Sequence, residues 1–228
     1  MTELGNKKTT RKHLAILGTR GIPATYGGFE TFAQELSVRL VKLGVDVTVY
    51  CELDNDIAGA KSYHGVHLEY VPTLSLGPLS TLLFDFKCLW KARKRFDVVY
   101  MLGYPPAFEC FIPRLFGTPV WINMDGVEWK RSKWGFWGRS WMRLNEYLAT
   151  KTANHLVADA AAIKDHLKDR HRKLPPCTVI PYGAPEITEA DPSLLQEYGV
   201  DANSYYLVVA RLEPENHIME IISGFLSS

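Results

Sequence analysis

The stretch that decides the fold is residues 18–30, which read GTRGIPATYGGFE. It lies between an apolar run at 13–17 and a segment at 31–43 whose apolar residues recur at helical spacing. Glycine reaches backbone angles that are closed to other residues, and Pro23 fixes one bend between the two glycine pairs. The pattern therefore predicts a sharply folded loop that connects a first strand to a first helix.

Such a loop leaves backbone N–H groups at the positive end of a helix dipole, where they attract phosphate. A tight strand-to-helix connection without any ligand explains the same glycines. The spacing excludes the dinucleotide fingerprint G-x-G-x-x-G and the P-loop G-x-x-x-x-G-K-[ST], because Ile22 and Pro23 follow Gly21. The loop is thus a candidate anion end of a ligand site.

Composition bounds the class of protein. The chain has 228 residues, 46% of them hydrophobic and 22% charged, and its net charge of +1 gives no general attraction to nucleic acid. Four widely spaced cysteines argue against a zinc site and a disulfide framework, and they fit a reducing cytoplasm. The polar, basic N-terminus predicts no signal peptide, and no apolar run reaches the length of about 20 residues that a membrane span needs. We expect a soluble or peripheral protein.

Strand and helix patterns alternate along most of the chain. Apolar runs predict strands at 13–17, 45–51, 66–71, 97–102, 119–124, 155–158 and 177–180, and helical patterns separate most of them. This alternation predicts an α/β fold with a doubly wound parallel sheet. Glu30 is expected to cap the first helix, and Asp159 the helix that runs to about residue 170.

The predicted organisation has two unequal parts. Residues 1–12 read as a disordered lead-in, 13–181 as an N-terminal Rossmann-like domain, and 182–203, rich in proline, glycine and acid, as a linker. A strand at 205–210 and a helix at 214–226 would open a second sheet over residues 204–228. Since one strand and one helix cannot enclose a core, the sequence predicts a second domain that is truncated.

Two stretches mix apolar and basic side chains. Tryptophans at 129, 134, 137 and 141 lie among five lysines and arginines, which suits a membrane interface or a sugar-binding wall, and buried aromatic packing is the alternative. The helix predicted at 79–96 ends in basic residues, and it reads as a core helix that complements its own dipole or as a surface resting on anionic lipid. Nucleic-acid stacking uses similar residues, but the chain carries no RNA-binding motif and we expect no nucleic acid.

Four ordered motifs carry a family resemblance. After the opening loop come NMDGVEWKRSKW at 123–134, VIPYGAP at 179–185 and VVARLEPEN at 208–216. In this order they resemble the glycosyltransferases of family 4, in the bacterial branch of rhamnosyltransferases that assemble cell-wall and capsule polysaccharides. The motifs cover nearly the whole chain.

The resemblance implies a GT-B architecture, in which two Rossmann-like domains face each other across a cleft. The first domain would hold the acceptor, and the second, truncated here, the nucleotide sugar. The implied reaction moves rhamnose from dTDP-rhamnose, with retention, to a saccharide on a polyprenyl diphosphate lipid. The enzyme would be cytoplasmic and peripheral on the inner face of the cytoplasmic membrane, and neither a cofactor nor a metal is expected.

The same reading assigns roles to residues of this sequence. A diphosphate leaving group needs fixed positive charge, so Gly27 and Gly28 would donate N–H groups and Arg211 would clamp the phosphates. Related enzymes carry a lysine shortly after that arginine, at the place of Asn216. Asp125, with Glu128 beside it, would contact the acceptor hydroxyl. Asp125-Gly126 also reads as a plain turn.

The acceptor and membrane side of the site is assigned to Trp129, Lys130, Arg131 and Trp134. Two other classes of function remain open. A non-catalytic acceptor-binding module or remnant would bind without turnover. A nicotinamide-dependent enzyme would use Glu52, at the end of the second strand, to hold a ribose, but it lacks the glycine triplet.

Overall fold

Eight strands form one sheet in the computed structural model, which describes residues 11–25, 27–53, 59–73, 77–184, 186, 191–210 and 212–227. The strands are β1 (His13–Leu17), β2 (Asp46–Leu53), β3 (Ser62–Tyr63), β4 (Val66–Pro72), β5 (Val98–Met101), β6 (Val120–Met124), β7 (His155–Ala158) and β8 (Cys177–Val179). Their order across the sheet is 3-4-2-1-5-6-7-8. Every pairing is parallel except the short one between β3 and β4. The predicted α/β fold with a parallel sheet is confirmed.

The helices follow the strands in the order that the sequence predicts. They are α1 (Gly28–Lys42), α2 (Pro78–Ala92), α3 (Phe111–Leu115), α4 (Phe136–Thr152), α5 (Ala161–Arg170), α6 (Ser193–Glu197) and α7 (Ile218–Leu226), with 3₁₀ turns at Glu128–Lys130 and Pro214–Asn216. Helix α1 begins at the glycine pair itself. Among the described residues, no helix combines the length and apolar character that crossing a bilayer requires.

The helices cover the two faces of the sheet unequally. Helix α1 packs on one face, against buried side chains such as Val47 and Val49. Helices α2, α4 and α5, with the segment before α3, pack on the other face, against Val99, Ile122 and Leu156. From β1 the chain crosses to β2 on one side of β1, and it later returns to β5 on the other side of β1. Ligands of such sheets bind beyond the carboxyl ends of the strands at this reversal.

The glycine loop is held close to the end of β5. Gly18 has a φ of +83°, and a Cβ at this position would lie 2.2 Å from the carbonyl oxygen of Leu102. Gly21 has a φ of +127°, and a Cβ there would lie 2.7 Å from the Cβ of Cys51. The loop therefore needs glycine for both backbone angle and space.

Replacing Gly18 by alanine is expected to lower the free energy of unfolding by about 3 kcal/mol, because it adds a backbone clash to a strained angle. Gly44→Ala is the matched control, since Gly44 has a φ of +85° and open space around the position of a Cβ. Gly44→Ala should lower the free energy of unfolding by only about 1 kcal/mol, because it adds backbone strain without a clash. Urea unfolding followed by circular dichroism measures both, and equal losses would show that the contact with Leu102 does not matter.

Two carboxyl groups are buried on the side of the sheet that α2 covers. Asp85 lies on α2 and Glu109 lies just before α3, and both are almost fully buried. Burial, with the charge of Glu52 added, raises the pKa of Asp85 to about 7. Burial, with the charge of Asp85 added, raises the pKa of Glu109 to about 8. Both groups thus hold protons in the folded protein at pH values where an exposed carboxyl is ionised.

The structure differs from the sequence-based prediction at residues 205–210. This segment pairs with no other strand among the described residues, and its side chains are exposed. A strand is stable only beside a partner strand, so an apolar run of strand-forming residues does not suffice. The short β3, which pairs antiparallel with β4, is absent from the strands that the apolar pattern predicts. The domain limits at 181 and 203 stay predictions.

Candidate active site

A cleft of about 1020 Å³ lies beyond the carboxyl ends of β1, β6, β7 and β8. Its lining comes from loops that are far apart in the chain and meet because parallel strands end at one edge of the sheet. The lining residues are Arg20, Gly27, Gly28, Phe29, Glu30, Asp125, Glu128, Arg131, Lys133, Asp159, Tyr182, Val209 and Ala210. Five of the residues assigned from the sequence, Gly27, Gly28, Asp125, Glu128 and Arg131, are therefore brought together.

The glycine end of the cleft is the start of α1. Gly27 is the N-cap, with extended backbone angles, and no described side chain caps the first turn. Glu30, which the sequence predicts as the helix cap, instead accepts a hydrogen bond from the backbone N–H of Arg20 at 3.3 Å. It thereby ties the glycine loop to the first turn of α1. The first N–H groups of α1 remain positioned to bind an anion in the cleft.

Asp125 follows β6 directly and faces the cleft. Its Oδ1 is buried and has no hydrogen-bond partner among the described residues. Burial, and then the neighbouring charge of Glu128, raises the pKa of the carboxyl group to about 6. An unpaired carboxylate oxygen in a cleft is suited to accept a hydrogen bond from a ligand hydroxyl.

The carboxylate of Glu128 is paired with two cations. Its carboxylate lies 2.9 Å from the guanidinium of Arg131 and 3.7 Å from the ammonium of Lys133. Its backbone N–H donates to the hydroxyl of Tyr104 at 2.9 Å. Glu128 therefore orients Arg131 and Lys133, and these two cations make this wall of the cleft suitable for a negatively charged group.

Asp159 lines the cleft, whereas the sequence predicts it as the cap of α5. Helix α5 is capped by Ala160, without a side-chain hydrogen bond, so the predicted capping by Asp159 is wrong. Asp159 instead accepts a hydrogen bond from Asn123 Nδ2 at 2.7 Å and another from the hydroxyl of Tyr182. Its place in the cleft could have been predicted from the sequence, because Asp159 directly follows β7 just as Asp125 directly follows β6.

Trp129 lies outside the cleft wall. Its indole N–H donates to Glu146 Oε2 at 2.8 Å, and the guanidinium groups of Arg143 and Arg170 lie 4.5 and 4.8 Å from its ring centroid. The ammonium of Lys130 lies 5.5 Å from the same ring. The polar edge of this tryptophan is thus occupied by the protein's own carboxylate.

Trp134 likewise lies outside the cleft wall. It lines a smaller cavity of about 380 Å³ at the start of α4, and its buried Nε1 has no partner among the described residues. The structure thus separates the four residues assigned to the acceptor and membrane side, and it places only Arg131 in the cleft.

Glu146 organises the support behind this loop. Only 1% of its surface is exposed, and it binds the N–H of Trp129, the Nε of Arg170 at 2.9 Å and the ring of His171 at 3.0 Å. Burial by itself would raise the pKa of Glu146, but these hydrogen bonds outweigh burial and lower it. One buried carboxylate therefore connects α4, α5 and the loop that carries Glu128.

A family comparison covers this whole region. A family model described as a domain of unknown function, DUF1972, matches residues 11–185. The chain belongs to this family. The DUF1972 domain thus takes in all eight strands, the glycine loop, Asp125, Glu128 and Asp159. No curated protein matches the chain.

Solved structures show the same fold as the DUF1972 domain. Anabaena HepE in complex with UDP and glucose has a TM-score of 0.69 at 18% identity, over 96% of this chain and 58% of the HepE chain. Sucrose-phosphate synthase from Thermosynechococcus elongatus has a TM-score of 0.54 at 11% identity, over 75% of this chain and 90% of that chain. The similarity concerns the fold, which is the Rossmann-like sheet of GT-B proteins.

Two statements made from the sequence remain predictions: the role of Arg211 and the expectation that no metal is needed. Arg211, the expected phosphate clamp, lies outside the described residues, although the adjoining Val209 and Ala210 line the cleft. Among the described residues, no group of three His, Cys, Asp or Glu side chains is arranged to hold a metal ion.

Proposed function

We propose that the DUF1972 domain binds a sugar hydroxyl in the cleft and presents it to a nucleotide sugar, so that the protein takes part in glycosyl transfer. The observation that carries this proposal is the unpaired, buried Oδ1 of Asp125 in the same cleft as the open N-terminus of α1. The carboxylate of Asp125 can orient a hydroxyl, and the N-terminus of α1 can bind phosphate oxygens.

The chemistry needs both ends of the cleft. The acceptor oxygen forms a bond to the anomeric carbon of the donor sugar, and the bond from that carbon to the diphosphate oxygen breaks. The hydroxyl proton passes to Asp125 or to the departing diphosphate. The N–H groups of Gly28 and its neighbours, with Arg211, stabilise the negative charge on the leaving group.

The comparisons support this proposal through the fold. HepE, which shares the fold, was solved with UDP and glucose. The chain spans 58% of the HepE chain, so the activity of a complete enzyme is part of the proposal. The motif resemblance supports the finer statement that the reaction retains the anomeric configuration and moves rhamnose from dTDP-rhamnose to a lipid-linked saccharide. The protein would work without a cofactor, on the inner face of the cytoplasmic membrane.

A transfer assay tests the proposal. The chain, alone and joined to any coding sequence that follows it, is incubated with a lipid-linked GlcNAc acceptor and either dTDP-rhamnose or UDP-glucose. Product is detected by mass spectrometry, with and without EDTA. Product from dTDP-rhamnose, unchanged by EDTA, supports the proposal in full. Product from UDP-glucose alone overturns the donor, and the absence of product from either donor overturns glycosyl transfer.

A non-catalytic acceptor-binding module is the second candidate, because Asp125, which is suited to contact an acceptor hydroxyl, lies within the DUF1972 domain. Its mark is saturable binding of the saccharide acceptor without turnover. Calorimetric titration of the acceptor into the wild type separates it from a protein that does not recognise the acceptor.

A further inference from the structure

An apolar surface is exposed on the side of the sheet covered by α2, α3 and α4. We call it the aromatic face; its exposed members are Leu79, Leu83, Phe86, Trp90, Phe108, Phe111, Leu115, Phe116, Phe136, Trp137, Leu144 and Tyr147. The most exposed are Leu115 at 82%, Trp137 at 83% and Phe136 at 75%. A soluble surface rarely exposes so many large apolar side chains together without a binding role.

Ring contacts connect the three helices that carry the aromatic face. The ring of Trp90, near the end of α2, lies 6.0 Å from that of Phe116, just after α3. Phe108, just before α3, lies 5.3 Å from Trp141 on α4. The guanidinium of Arg114 on α3 donates to the carbonyl oxygens at the end of α4, including that of Thr152 at 2.9 Å.

Positive charge accompanies the aromatic rings. The guanidinium of Arg93 lies 4.1 Å from the ring centroid of Trp90, and the ammonium of Lys94 lies 4.8 Å from that of Phe116. The sequence of α2, α3 and α4 includes six lysines and arginines, at 87, 91, 114, 139, 143 and 151. The acidic residues of these helices are Asp85 and Glu146, and both are buried. Glu69 on β4 pairs with Lys91 at 2.9 Å and with Arg95 at 3.2 Å. Positive charge therefore exceeds negative charge on this face.

We propose that the aromatic face docks the protein on the surface of an anionic phospholipid bilayer. Aromatic rings partition into the headgroup region, while lysine and arginine bind the phosphates beside them. Association of two copies through this face would oppose positive charge to positive charge, which disfavours a second copy as the occupant.

This proposal deepens the proposed function, because a lipid-linked acceptor must be reached at a membrane. It also selects between the two lipid-facing surfaces expected from the sequence: it retains the helix at 79–96 and sets aside Trp129 and Arg131, which are engaged with Glu146 and Glu128. Phe136 and Trp137 begin α4 a few residues after Lys133, which lines the cleft. Docking through α4 would thus bring the cleft close to the headgroups.

Vesicle flotation tests the docking without any activity measurement. The wild type is mixed with phosphatidylcholine vesicles or with vesicles that contain about one third phosphatidylglycerol, at low and at high salt. We expect binding to the anionic vesicles that weakens as salt is added. The variant Lys94→Glu with Leu115→Ser should bind about tenfold or more weakly, because it reverses one charge and removes one exposed apolar side chain.

The matched control is Lys42→Glu with Leu43→Ser at the end of α1, on the opposite side of the sheet, where Leu43 is 80% exposed. It makes the same chemical changes and should bind like the wild type, and both variants should melt at the same temperature as the wild type.

No flotation of the wild type with anionic vesicles at low salt overturns the proposal, and so does equal weakening in both variants. A dimer that the Lys94 variant alone dissociates, without vesicle binding, overturns it in favour of self-association. Loss of sugar transfer with flotation intact contradicts only the proposed function.

Discussion

Replacing Asp125 by asparagine is expected to lower the turnover rate of sugar transfer about 1000-fold and to change the affinity for the acceptor only slightly. Asparagine keeps the size of the side chain but removes the negative charge that accepts a proton or orients a hydroxyl. Because Oδ1 has no partner among the described residues, the substitution breaks no described hydrogen bond of that atom. The loss should therefore appear in turnover rather than in stability.

The pH dependence gives a second measurement on the same residue. Burial and the charge of Glu128 raise the pKa of Asp125 to about 6, and the carboxylate is the active form. Transfer by the wild type should therefore rise as pH increases through about 6 and level off above it, and Asp125→Asn should lack this limb. Initial rates over a range of pH values in a transfer assay measure both effects.

Asp165→Asn on the exposed surface of α5 is the matched control and should transfer sugar like the wild type. A variant Asp125→Asn that keeps most of the turnover would contradict the role in catalysis. Asp125 would then have only a structural role, in the turn that the Asp125-Gly126 pair predicts.

Replacing Glu146 by alanine is expected to lower the free energy of unfolding by about 3 kcal/mol. The substitution leaves the indole N–H of Trp129 and the ring of His171 without their buried acceptor. It also releases Arg170, whose bond at 2.9 Å joins α5 to α4. A buried network that loses its central charge costs far more than an exposed ion pair.

Chemical unfolding in urea measures the change. Glu35→Ala is the matched control, because Glu35 forms an exposed ion pair with Arg39 at 3.1 Å on α1, which is worth about 0.5 kcal/mol. If the two variants lose the same stability, the contacts of Glu146 do not stabilise the fold as described. The loop that carries Glu128 would then be held by other contacts.

The sequence was most informative where one physical rule decides the outcome. Strands buried on both faces read as short apolar runs, so β1, β2, β4, β5, β6, β7 and β8 could be predicted to within about two residues. The meeting of the glycine loop and Asp125 at one cleft agrees with the rule that parallel strands end at one edge of the sheet.

Partners that are distant in the chain could not be predicted in this way. Asp159 suits an N-cap by type and position, and only the fold brings Asn123 and Tyr182 to it. Trp129 among basic residues suits a membrane interface and a buried network equally well, and the carboxylate that decides between them, Glu146, lies a helix away. The segment at 205–210 has the composition of a strand, but composition does not supply a neighbouring strand.

The buried carboxyls of Asp85 and Glu109 couple folding to proton uptake. Their pKa values of about 7 and about 8 in the folded state lie above the unfolded values of 3.8 and 4.5, so folding at neutral pH takes protons from the buffer. The stability that they contribute is complete below about pH 4 and is lost as the pH rises through about 7 to 8. The heat of unfolding near neutral pH should accordingly depend on the ionisation enthalpy of the buffer that receives these protons.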